Sequence, residues 1–131
     1  MDKIKVKSTF TVANLKVDVI VTGDRKAYCA YLKELTGNIY GDKKWVGRVT
    51  SLSNQHALVC ILPNEDEEKM RNVIIHECVH LAEFALEHTN NVRMKKGPKG
   101  KFNEDLAYLV QEFAWYVERA VLGKRKKRCP Y

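Results

Sequence analysis

The stretch VIIHECVHLAEFAL, residues 73–86, is mostly apolar, yet two histidines and a glutamate stand at its centre. Burying such groups without partners costs several kcal/mol. A chain that folds this segment into its core must therefore turn these three side chains outward or give them a task. His76 and His80 are four residues apart, so on a helix they share one face, one turn apart. Glu77 is the next residue after His76 and is turned about 100° around the same axis. Two imidazoles so placed can point at one metal ion, and the carboxylate can reach a water beside that ion without being a ligand itself.

The flanking residues support a helix. Pro63 stops an apolar run, Asn64 is a candidate N-cap, and Glu67 three residues on completes a capping box. The helix should run to about His88, and Asn90-Asn91 can end it. Upstream, residues 4–12 and 15–21 are rich in β-formers, and Leu15, Val17, Val19 and Val21 give an approximate period of two. Ala13-Asn14 supplies a hairpin turn. Asp24 can cap a helix through Leu35, with Ala27, Ala30, Tyr31 and Leu35 as its apolar positions and Gly37 as its stop. Two more strands are expected at 45–52 and 56–62, joined by Ser53-Asn54-Gln55. The second, HALVCIL, is apolar enough to be buried on both faces. Gly97, Pro98 and Gly100 mark a loop through Lys101. A last helix is expected over 103–122, its core stripe being Leu106, Val110, Phe113, Val117 and Val121. The order is ββαββαα, an α+β domain of residues 1–122. Its antiparallel or mixed sheet would pack on the histidine helix and the C-terminal helix, and a basic tail, 123–131, follows.

At 131 residues the chain suits one core. No apolar run approaches the ~20 residues of a membrane span, so no membrane partner is expected. The N-terminal MDKIKVKSTF lacks the apolar region and cleavage site of a signal peptide. The four cysteines form no CxxC pair, so reduced thiols and a cytoplasmic location are expected. The net charge of +7 gathers in the loop 93–101 and in the tail. Such charge can bind nucleic acid or an acidic protein, although no recognisable nucleic-acid module accompanies it.

HExxH, here His76-Glu77-Cys78-Val79-His80, is the motif of zinc metallopeptidases. Zinc needs a third protein ligand. The arrangement HExxHxxGxxH fails, because Glu83 and Leu86 occupy its last two defined positions. His88 lies about 12 Å beyond His80 along a continuous helix, out of reach of the same ion. The other arrangement takes a glutamate from the following helix. Glu104 opens that helix, and the intervening loop is long enough to return it to the histidines; Glu112 is the alternative.

Together, the HExxH and the following Glu104-Asp105-Leu106-Ala107-Tyr108 resemble the gluzincin metallopeptidases, most of all the minimal gluzincin-like domains of small bacterial and phage proteins. The resemblance covers about residues 40–122. It implies a small zincin-like fold, a Zn²⁺ cofactor on His76, His80 and Glu104, and a peptide or protein substrate. Larger gluzincins often carry Asp where this chain has Tyr108, so the group that would orient the histidines is not identified by the motif.

The chemistry expected of such a site is hydrolysis of a peptide bond by a zinc-activated water, with Glu77 as general base. Tyr108 and Tyr116 are candidates to stabilise the oxyanion. An edge strand would hold the peptide as an added strand, and either 45–52 or 56–62 could be that edge. The rival expectation is a non-catalytic binding protein that acts on nucleic acid or an acidic protein through its basic loop and tail.

Overall fold

A computed structural model describes residues 4–41, 44–88 and 99–123, with 99–103 described by backbone alone. The basic tail beyond Gly123 and most of the basic loop lie outside these residues. The elements are β1 (Val6–Val12), β2 (Leu15–Val21), α1 (Arg25–Thr36), β3 (Gly47–Ser53), β4 (His56–Ile61), α2 (Glu67–His88) and α3 (Lys99–Leu122). The order is the expected ββαββαα, and the class is α+β.

The sheet has the order β1-β2-β4-β3. β1 and β2 form an antiparallel hairpin whose turn residues, Ala13 and Asn14, both have positive φ. β2 pairs with β4 in parallel, with Val19 opposite Val59, and β3 pairs antiparallel with β4. The two central strands are the most apolar, as strands covered on both faces must be. Residues Ala57 to Ile61 of β4 are all buried. β3 is an edge.

Two cores result. On one face, Val17, Val19, Val59 and Ile61 pack against Ile74, Cys78, Leu81 and Ala85 of α2 and Phe113 and Val117 of α3. On the other, Tyr28 and Leu32 of α1 cover Ile20, Leu58 and Cys60. α2 contacts β3 and β4, while α3 contacts β1 and β2. The lateral order is therefore β3 edge, α2, α3, β1 edge.

Three local expectations change. The face that α1 buries carries Tyr28, Cys29 and Leu32, whereas Leu35 is 48% exposed and Ala30 is also exposed. The large Tyr28 ring, a full helical turn from Leu32, decides which stripe packs. The cap of α2 is Asp66, whose Oδ1 accepts hydrogen bonds from the N–H groups of Glu68 and Lys69 at 3.0 and 3.3 Å. Asn64 instead forms an Asx turn, accepting from the Asp66 N–H at 2.7 Å. Finally, α3 starts at Lys99, four residues earlier than its sequence pattern suggests, and Gly100 is inside it. Among the described residues no helix is long and apolar enough to cross a membrane.

Candidate active site

α2 is apolar on the sides that meet the sheet and α3, through Ile74, Cys78, Leu81, Ala82, Ala85 and Leu86. Its remaining flank faces β3 and solvent. His76 and His80 stand exposed there, their ring centroids 4.9 Å apart and their planes 79° to one another. Glu77 turns inward from the same flank and is 5% exposed. Burial pushes its carboxyl above the usual carboxylate range; the charges of His76 and His80 pull the other way without cancelling this. His80 also has a neighbour the motif did not reveal. Glu83 Oε1 lies 3.7 Å from His80 Nδ1, an i,i+3 contact that could have been read from spacing. At this distance the contact is no hydrogen bond, but it sets a carboxylate on the Nδ1 side of the ring, opposite Nε2.

The groove beside these residues has a volume of about 410 Å³. Its walls are Gly47, Arg48, Val49 and Ser51 of β3, and His76, Glu77, His80 and Phe84 of α2. The β3 wall can be resolved by hydrogen-bond parity. The Leu62 N–H donates to the Val46 C=O at 3.0 Å. In an antiparallel ladder the bonded pairs alternate, and the register Gly47↔Ile61, Arg48↔Cys60, Val49↔Val59, Thr50↔Leu58 continues this pairing. Arg48 and Thr50 therefore bond inward to β4. Gly47, Val49 and Ser51 turn their N–H and C=O groups away from the sheet, along the groove.

Gly47 is the second feature that sequence reasoning missed. A methyl built on it would lie 2.7 Å from Val73 Cγ1, 2.9 Å from Glu77 Cγ and 3.0 Å from Glu77 Oε2. Only a residue without a side chain lets β3 approach α2 this closely with Glu77 between them. No local pattern announces this, because it depends on where the strand meets the helix.

The structure does not bring every expected site residue together. Glu104 is exposed on α3. At about 100° per residue, Cys78 lies opposite the His76/His80 face of α2, and α3 packs on that opposite side. Glu118 of α3 is near enough to add to the burial that raises the Cys78 thiol. Asp105 shares a cavity with Ala85 and Leu86, at the C-terminal end of α2. The start of α3 is thus level with the C-terminal end of α2, and Glu104 does not gather with His76 and His80. Among the described residues, no three His, Cys, Asp or Glu side chains gather as a metal site. Tyr108, 56% exposed, lines the cavity that holds Asp105, Glu112 and Tyr116, so it does not face the histidine groove. Tyr116 stacks on Phe10, with centroids 4.7 Å apart and planes 11° from parallel.

No family model, no curated protein and no solved structure matches the chain.

Proposed function

We propose that the chain is a zinc-dependent metallopeptidase of the gluzincin kind, acting on an extended peptide laid along β3. The observation that supports this most is the groove itself. A buried carboxylate, two exposed imidazoles one helical turn apart and an unpaired strand edge face one another across it. An edge with outward N–H and C=O groups is the surface to which a peptide adds as a strand.

The donors fit zinc in two positions, since imidazole is a common zinc ligand and His76 and His80 share one face. The third donor in this reading is Glu104 on α3, with Glu112 the alternative; neither gathers with the histidines among the described residues. When bound, the ion supplies Lewis acidity toward water and toward a carbonyl oxygen. The protein's own residues supply the rest. Glu77 Oε accepts a proton from the attacking water and returns it to the leaving amine. Its raised affinity for protons suits a group that must hold one between those two steps. The backbone of Gly47, Val49 and Ser51 holds the peptide over the carboxylate.

The test is to incubate zinc-loaded protein with a mixed peptide library and read new termini by mass spectrometry. Cleavage should vanish with a chelator. With Glu77→Gln it should fall by about 10²–10⁴-fold, while zinc content and thermal stability are retained. Cleavage that needs zinc but survives Glu77→Gln would refute the general-base role. No cleavage by a fully loaded protein would leave the binding-protein reading.

A further inference from the structure

The approach of β3 to α2 is closer than any side chain at position 47 allows. Gly47 shows no positive φ, so its backbone would accept alanine; space alone forbids it. Two neighbours could yield to an added methyl. Val73 is β-branched and on a helix, where one χ1 rotamer is strongly preferred, and its Cγ1 would be 2.7 Å away. Glu77 is unbranched at Cβ, and both its Cγ, at 2.9 Å, and its Oε2, at 3.0 Å, meet the strand, so a turn about χ1 carries both away together. The glutamate is therefore the group that would give way.

We infer that Gly47 is a positioning residue, whose missing side chain lets the Glu77 carboxylate rest against the edge strand at the point where Gly47's own N–H and C=O face the groove. This rests on the proposed hydrolase only for its catalytic consequence; the placement of the carboxylate stands on geometry. In the catalytic setting, the same residue that hydrogen-bonds the peptide also fixes the base beneath it, so Gly47 sets where along β3 the peptide is cut.

The experiment separates packing from positioning with three variants: Gly47→Ala, Val73→Ala and the double variant. Val73→Ala removes the tighter overlap and leaves those with Glu77 Cγ and Oε2, at 2.9 and 3.0 Å. The double variant should therefore melt within a few degrees of Val73→Ala alone. Modification of Glu77 by a water-soluble carbodiimide and an amine, quantified by peptide mass spectrometry, should be slow in the wild type and in Val73→Ala. It should rise about fivefold or more in the double variant. On any peptide the wild type cleaves, kcat of the double variant should fall about 10- to 100-fold, the scale of a misplaced catalytic group, with KM changed far less. Glu77 labelling and kcat in the double variant equal to those of Val73→Ala would overturn the inference. If the wild type cleaves nothing, labelling alone decides. A rise upholds the placement while the hydrolase reading falls, and no rise overturns the placement.

Discussion

Proline substitution along β3 tests the groove's geometry residue by residue. Proline removes one N–H and tolerates strand positions only where that N–H is not in the ladder. The parity set by the Leu62 N–H to Val46 C=O bond makes Val49 such a position and Thr50 the opposite. Val49→Pro should keep every bond to β4. Its cost relative to Val49→Ala is a tightening of φ, about 1 kcal/mol or less. Thr50→Pro removes a bond to Leu58 in the middle of the β3–β4 ladder and forces the ring against that ladder, about 3 kcal/mol or more relative to Thr50→Ala. For a chain of this size that difference is roughly 5–15 °C in Tm, within easy reach of thermal melts followed by circular dichroism. Function should respond in the reverse sense. Val49→Pro deletes a donor that faces the groove and leaves a substrate carbonyl without a partner, about 1–3 kcal/mol, or roughly 5- to 150-fold in kcat/KM. Equal destabilisation by the two prolines would show the parity to be wrong. A well-folded Val49→Pro protein with undiminished kcat/KM would show that substrate does not add to this edge.

Metal binding and pH offer further checks. His76→Ala should release most of the zinc, and Glu104→Ala should lower affinity about as far if Glu104 is the third donor; full retention in Glu104→Ala with loss in Glu112→Ala would move the assignment. On the opposite side of the sheet, Asp18 accepts hydrogen bonds from Thr9 Oγ1 at 2.6 Å and His56 Nε2 at 2.8 Å. Burial raises its pKa, but these bonds and the charges of His56 and Lys16 outweigh burial, and the net shift is downward. A carboxylate lowered in the folded state contributes stability that is present above its unfolded value and lost as pH falls through its folded value. The stability gap between wild type and Asp18→Asn, from urea melts, should thus hold from pH 7 to about 5 and shrink below about pH 4. A gap unchanged to pH 2 would exclude Asp18 as its source.

What could be read from the sequence followed the range of each interaction. His76, Glu77 and His80 were legible because helix periodicity is local, and so were the hairpin at Ala13-Asn14 and the doubly buried β4. The parallel pairing of β2 with β4 was not, since it joins segments about 40 residues apart without a turn to announce it. Gly47 was hidden for the same reason. Glu104 shows a different weakness. Its expected place beside the histidines rested on a family resemblance and on loop reach, and a loop of that length reaches almost anywhere, so reach alone selects no side of α2. The helical wheel of α2 carried better information. Cys78, Ala82, Ala85 and Leu86 are the apolar residues left after Ile74 and Leu81 have met the sheet, and they lie away from His76 and His80. A following helix with its own apolar stripe must cover that side. If Glu104 is the third ligand, the packing that covers the Cys78 side of α2 and the geometry that completes the site draw the start of α3 toward different sides of α2. Zinc affinity and hairpin stability should be linked through this competition. Mutations that weaken contacts at the C-terminal end of α2, such as Leu86→Ala, should destabilise the metal-free fold more than the zinc-loaded one.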